Sequence, residues 1–380
     1  MTESLEPKRG RRAFIPIAEP SIGEREVELV ADAVRSGWVS SLGEYVTAFE
    51  EELARRCGAA YAVATSNGTA ALHLALAVAG VGPGDEVILP SLTFVATAAA
   101  VRYLGASPIL ADSDPTHWCI DPNDAASRVN ARTRALVAVD LYGHPADMDA
   151  LASIATEHDL VLVEDAAEAL GAVYRERPAG SLGRLGVLSF YGNKLITTGE
   201  GGAVLTDDPV LAERARFLRD HAMDPKRRYW HAEIGFNYRI TNLQAALGVA
   251  QLERLDEFLE RKRAIAAAYR AGLEDVPGMS FQDEADWASS SWWMPTLRIH
   301  GDRGIDRDEL ATRLRADGVD SRPAFVPLHL LPPYRQEGSL PVAEAVGREG
   351  LSLPSGTSLS EAELEYVIAS VRKATGDVIA

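Results

Sequence analysis

Three short stretches hold residues whose types could act together in chemistry. In GNKLITTGEGG (192–202) one lysine, Lys194, sits among glycines and threonines. A primary amine becomes nucleophilic when burial or a neighbouring cation lowers its pKa. In VLVEDAAEALGA (161–172) Asp165 falls at the carboxyl end of an apolar run. A carboxylate in that place needs a partner, because burying it alone costs several kcal/mol. In SNGTAAL (66–72) Gly68 and Thr69 stand where a strand turns into a helix. Free N–H groups and the helix dipole suit a phosphate there. Taken singly, each stretch has a plainer reading: a mobile loop, a capping aspartate, an ordinary N-cap.

Taken together, a phosphate cradle, a carboxylate and a lysine match the three handles of pyridoxal 5′-phosphate. The lysine forms a Schiff base with the aldehyde, and the acid keeps the ring nitrogen protonated so that the ring can accept electrons. The helix start holds the phosphate.

The elements that must position these residues are legible as alternating apolar runs and helical patterns. YAVAT (61–65), EVILP (86–90), SPILAD (107–112), ALVAVDLYG (135–143) and LVLVEDAAE (160–168) read as strands. GTAALHLALAVAG (68–80), TFVATAAAVRYLG (93–105) and DMDALASIATEHD (147–159) read as helices between them, with Asp147 as an N-cap. Near-continuous apolar strands alternating with helices predict an α/β fold whose mostly parallel sheet is covered on both faces. In such sheets ligands bind beyond the carboxyl ends of the strands, which is where Asp165 falls. GVLSFYGN (186–193) and GGAVLTDD (201–208) add two strands, and one long helical pattern runs from Asn242 to Leu273. Beyond it the texture changes. SSSWWMPTLRI (289–299) reads as a strand, DRDELATRLRADG (306–318) as a helix, and SEAELEYVIASVRKAT (360–375) as a helix with Ser360 and Glu363 in capping-box spacing. The expected division is a large domain, 1–252, with residues 1–13 as a mobile tail, and a smaller C-terminal α/β domain, 253–380.

Composition narrows the function classes. A chain of 380 residues with 47% hydrophobic and 24% charged residues suits a globular protein of two domains. A net charge of −17 opposes nucleic-acid and acidic-membrane binding over most of the surface. Two cysteines, Cys57 and Cys119, imply neither a disulfide framework nor a zinc site. The histidines lack H-x-x-x-H spacing and no acid cluster has calcium-loop spacing, so no metal is expected. No signal peptide or membrane-spanning run is seen, and a cytoplasmic protein is expected.

Longer motifs carry a resemblance. GWVSSLGEYVTAFEEELA (37–54), SNGTAALHLAL (66–76), PSLTFVATAAAV (90–101), LYGHPADM (141–148), EDAAEALGA (164–172), GVLSFYGNKLITTGEGG (186–202) and FNYRITNLQAALGVAQLERLD (236–256) occur in this order. Over nearly its whole length the chain resembles the DegT/DnrJ/EryC1/StrS sugar-nucleotide aminotransferases, within the fold-type I pyridoxal-phosphate enzymes. The resemblance implies that Lys194 anchors the cofactor and shuttles protons, and that Asp165 pairs with the ring nitrogen. It puts Glu168 near the ring hydroxyl and Phe94 against the ring face. Gly68, Thr69, Ala70 and Ser189 would hold the phosphate. Asn237 would reach the phosphate of a neighbouring subunit, which implies a homodimer with shared sites. Arg239, Phe325 and His329 fall where the family contacts the nucleotide-sugar.

Relatives with histidine in place of the lysine remove a hydroxyl, so Lys194 implies transamination, with L-glutamate as donor. The tract after Lys194 resembles the branch aminating C-4 of a 4-keto-6-deoxyhexose, and WVSSLGEYV, HAMDPKRRYWH and FNYRITN resemble the members of that branch that act on a GDP-linked mannose derivative. A dTDP- or UDP-linked keto sugar is the alternative, with C-3 amination a further one. A cofactor-binding regulatory protein without turnover is a third reading.

Overall fold

Why the chemistry-bearing residues meet follows from how the strands are ordered. The computed structural model describes residues 14–300 and 304–376, so the expected tail at 1–13 lies outside the described residues. The strands are β1 (Tyr61–Thr65), β2 (Glu86–Pro90), β3 (Ser107–Ala111), β4 (Thr133–Val139), β5 (Val161–Asp165), β6 (Val173–Tyr174), β7 (Arg177–Pro178), β8 (Leu185–Ser189), β9 (Gly202–Thr206), β10 (Met279–Phe281), β11 (Ala288–Ser289), β12 (Thr296–Ile299), β13 (Arg322–Pro323) and β14 (Gly350–Ser352). The helices are α1 (Glu24–Ser36), α2 (Glu44–Cys57), α3 (Gly68–Val78), α4 (Ala96–Tyr103), α5 (Pro122–Ser127), α6 (Met148–Glu157), α7 (Pro209–Arg219), α8 (Asn242–Glu253), α9 (Leu255–Leu273), α10 (Arg307–Ala316), α11 (Pro341–Glu349) and α12 (Glu361–Thr375).

The central sheet has seven strands in the order β1-β9-β8-β5-β4-β2-β3. β3, β2, β4, β5 and β8 run parallel, and β9 is antiparallel to both β8 and β1. The expected mostly parallel sheet is therefore present. Its strands are apolar on both sides because both sides are covered: Val63 and Val187 join one buried cluster, Ala62, Ala64 and Leu188 another. The carboxyl ends of β1, β5 and β8 share one edge, and Thr65 and Ser189 both pair with Gly202 at the start of β9.

The C-terminal part builds a four-stranded sheet in the order β10-β12-β14-β13. Tyr269, Leu297, Leu310, Leu314, Val367 and Val371 pack its core. The N-terminal stretch joins this part. Ile15 forms a parallel bridge with Val319 and is buried in the same core. The two parts also share strand pairing, since β11 pairs with β6.

Two sequence expectations need correction. The helical pattern from Asn242 to Leu273 is broken at Arg254, whose backbone leaves the helical region and whose N–H donates to the Gln251 and Leu252 carbonyls. The break lets α8 pack on α1 and α2, while α9 packs against α12. The strand expected over 289–299 survives as β11 and β12, separated by Trp292 with a φ of 50°. The Ser360–Glu363 capping box and the Asp147 N-cap form as expected.

Candidate active site

A cavity of about 950 Å³ opens at the shared strand edge, lined by Gly68, Thr69, Ala70, Phe94, Asp165, Glu168, Ser189, Lys194 and Phe325. Five sequence-distant stretches thus meet in one space.

The helix start is built around one cap. Asn67 Oδ1 accepts from the Ala70 N–H at 2.8 Å, and the Asn67 carbonyl accepts from Ala71 at 3.1 Å. That leaves the Gly68 and Thr69 amides of the first turn without intrahelical partners, beside the Ser189 hydroxyl. Glycine is required for this approach: a Cβ on Gly68 would lie 2.8 Å from the Ser189 Cβ. Gly202 does the same from below, where a Cβ would lie 2.6 Å from the Asn67 carbonyl carbon.

Asp165 ends β5 and is 4% exposed. Its Oδ2 accepts from the Thr97 hydroxyl at 2.8 Å, and its Oδ1 from the Ala167 N–H at 3.3 Å. Burial raises its pKa, opposed by those two donors and by Lys194. Among the described residues no lysine, arginine or histidine forms an ion pair with it. A buried carboxylate facing a cavity and lacking a counter-cation fits a cationic ring nitrogen.

Glu168 Oε1 lies 3.9 Å from Lys194 Nζ, a loose ion pair. Its other oxygen accepts from the Tyr142 N–H at 2.8 Å. Tyr142 presents that N–H from a left-handed backbone, φ 57°, which is costly for a non-glycine residue and fixes the turn after β4. Burial pushes the Glu168 carboxyl up to about 7, against the pull of Lys194 and the Tyr142 N–H. Burial also lowers the Lys194 pKa, against the pull of Glu168 and Asp165. Burial therefore moves both partners toward their neutral forms, and a lowered amine pKa favours the nucleophilic form of Lys194.

Lys194 also lies over the Trp293 ring, 3.8 Å from its centroid. The indole N–H donates to the Asn193 carbonyl at 2.7 Å, which fixes the residue next to the lysine. Asn193 Oδ1 is buried at the cavity wall without a hydrogen-bond partner in the protein. The glycine-cleared cradle and Asp165, which has no ion-pair partner among the described residues, fit a phosphate-bearing, cationic heterocycle.

Phe94 is 54% exposed and tilts against Phe325 with ring centroids 5.8 Å apart. Phe325 in turn stacks on Tyr142 at 5.4 Å. Three of the sequence-derived residues stand elsewhere. Asn237 is exposed and bridges to Asp220, outside the cavity of its own chain. Arg239 pairs with Asp220 at 3.2 Å. His329 is buried behind the wall, its Nδ1 2.7 Å from Ser91 Oγ and its Nε2 3.3 Å from Glu344. A turn after Pro327 aims it inward, so it does not line the cavity.

Sequence reasoning missed Thr97, Tyr142, Trp293 and Arg322. Thr97 had a signal, a threonine inside the apolar pattern FVATAAAV. Trp293 had none, because WWM reads as strand core.

Residues 20–372 match the DegT/DnrJ/EryC1/StrS aminotransferase family. The chain is 43% identical to a GDP-perosamine synthase of Caulobacter vibrioides over 94% of this chain and 97% of the relative. It is 40% identical to the dTDP-3-amino-3,4,6-trideoxy-alpha-D-glucose transaminase of Streptomyces venezuelae, over 96% of this chain and 97% of that one. Among solved structures, the aminotransferase TlmJ from Streptoalloteichus hindustanus superposes with a TM-score of 0.91 at 36% identity, covering 96% and 99% of the two chains.

Proposed function

The chain belongs to the DegT/DnrJ/EryC1/StrS aminotransferase family, and from that premise we propose that it aminates C-4 of a GDP-linked 4-keto-6-deoxyhexose, GDP-4-keto-6-deoxy-D-mannose, giving GDP-perosamine. L-Glutamate is the donor and leaves as 2-oxoglutarate. The family depends on pyridoxal phosphate. The observation that carries the reading is the meeting of Lys194, Asp165 and the first turn of α3 in one cavity.

When bound, the cofactor supplies an aldehyde that exchanges amines and a ring that accepts an electron pair. The Gly68 and Thr69 amides and the Ser189 hydroxyl would hold its phosphate. Asp165, oriented by Thr97, holds a positive charge on the ring nitrogen. Glu168, fixed by Tyr142 and 3.9 Å from Lys194, would serve the ring hydroxyl. Phe94 closes one face. Lys194 Nζ is the covalent anchor, and once freed it moves a proton from the donor's α-carbon, and later to C-4 of the sugar. The Trp293 ring below keeps that amine in reach of both carbons. Arg322, which lines the cavity and pairs with Asp320 at 2.5 Å, would supply a cation for an anionic substrate.

The active form in this reading is a homodimer in the cytoplasm, with Asn237 serving the phosphate of the second copy's site. Its exposure outside its own cavity supports that role, as do the exposed large side chains of Tyr229, Trp230 and Ile234. The GDP assignment is favoured by the 43% identity to a GDP-perosamine synthase, and a dTDP sugar is the competitor that the 40% relative raises.

Borohydride reduction of the cofactor-loaded protein, followed by peptide mass mapping, tests the anchor. The expected result is one pyridoxyl group on Lys194. A pyridoxyl group on another lysine, or on none, removes the assignment.

A further inference from the structure

The far side of Trp293 holds a second lysine that the reaction does not use. Lys262 lies on α9 and is 2% exposed. Its Nζ is 2.7 Å from the Trp293 carbonyl and 3.1 Å from Ser355 Oγ. Ser355 Oγ is itself 3.1 Å from the same carbonyl. Among the described residues no carboxylate forms an ion pair with Lys262. Its neighbours on α9 turn away, Arg261 to Glu361 and Arg263 to the Ser290 carbonyl. Across a narrow gap stand Asn193, Lys194 and Glu19.

Donor counting explains the state of this amine. A neutral amine has two N–H groups and meets two acceptors here, whereas an ammonium has three. Burial pushes its pKa down to about 7. A buried amine with no counter-charge is a costly way to fill space, since a methionine fits the same volume without desolvation. What the amine does that a thioether cannot is grip the Trp293 main chain.

Trp293 is the member that reaches the reacting lysine. Its indole N–H holds the Asn193 carbonyl, and its face lies beneath Lys194 Nζ. We propose that Lys262 is a positioning residue for Lys194: it clamps the Trp293 carbonyl, and so fixes the indole that carries the Lys194 amine. The inference rests on the reading of Lys194 as the cofactor's anchor.

The test compares Lys262→Met, Trp293→Phe and the double variant, each as the full chain loaded with pyridoxal phosphate. Three quantities are read: the melting temperature of the cofactor-free protein, the pH midpoint of the visible absorption of cofactor joined to Lys194, and kcat with KM for glutamate. Lys262→Met is expected to melt within a few degrees of the parent. Its absorption midpoint shifts, and kcat falls about 10- to 100-fold, the penalty of a small displacement of a reacting group, while KM changes far less. Trp293→Phe keeps a ring but loses the indole N–H, and gives a shift in the same direction. The double variant adds little to either, because both act along one path. An unchanged midpoint and kcat in Lys262→Met overturn the proposal, as does full additivity. Should Lys262→Met not fold, Trp293→Phe decides alone, and an unmoved midpoint there overturns it. Loss of the Lys194 absorption in the unsubstituted protein is a different failure: it removes the anchor reading, and the proposal with it.

Discussion

At the scale of single residues, two buried carboxyls share one cavity and differ in what they lack. Asp165 has hydrogen-bond donors but no cation in ion-pair contact among the described residues, while Glu168 has Lys194 at 3.9 Å. Asp165→Asn keeps the Thr97 contact and removes the charge. It should fold normally and lose about 10²- to 10⁴-fold in turnover, the usual worth of a group that tunes proton transfer, as steady-state assay will read. Glu168 makes a stability prediction. Its carboxyl is raised from 4.5 to about 7 in the folded protein, so folding favours the protonated form. That contribution is complete below 4.5 and is lost as pH rises through 7. In the cofactor-free protein, Glu168→Gln should therefore gain in melting temperature relative to the parent between pH 5 and 8. A difference that stays flat with pH contradicts the shift. Lys194 and Asp165 were legible in the sequence because a lysine among glycines and an acid ending an apolar run are unusual. Trp293 and Tyr142 were not, since large aromatics in apolar runs carry no sign of what their faces or backbone groups will touch.

At the scale of elements, the site depends on how closely α3 approaches the ends of β8 and β9. Gly68→Ala places a Cβ 2.8 Å from the Ser189 Cβ, so the helix start must retreat. The expected cost is about 1–3 kcal/mol of stability from overpacking, seen by denaturant unfolding. A larger effect is expected on cofactor affinity, read by fluorescence titration of the cofactor-free protein. Ser189→Gly on the Gly68→Ala background should recover the stability but not the affinity, since it removes both the clash and the hydroxyl proposed to hold the phosphate. Asn67→Ala loses the cap and should cost about 1 kcal/mol. Strand and helix periodicity carried most of this architecture, because parallel strands buried on both faces announce themselves. The break at Arg254 did not announce itself. Nothing in QLERLDEF resembles a helix stop, and the turn is imposed by packing α8 on α1 and α2 while α9 packs against α12. Likewise Ile15 crosses to Val319, a pairing between chain ends that local pattern cannot foretell.

At the scale of the whole molecule, a homodimer with shared sites has a distinctive consequence. Lys194→Ala and Asn237→Ala should each be nearly inactive alone. Mixed under conditions that exchange subunits, they should regain activity, because some hybrid sites then contain both residues. A mixture as inactive as its parts contradicts the sharing. No described helix is long and apolar enough to cross a bilayer. The central claim is amino transfer to the sugar, and one measurement addresses it directly. The cofactor-loaded protein is incubated with ¹⁵N-labelled L-glutamate and GDP-, dTDP- and UDP-linked 4-keto-6-deoxy sugars in turn, and the nucleotide-sugars are examined by mass spectrometry and NMR. The account predicts ¹⁵N bonded to C-4 of the GDP sugar, with 2-oxoglutarate formed in equal amount and the other nucleotides served poorly. Recovery of every keto sugar unaminated, with no 2-oxoglutarate released, contradicts it.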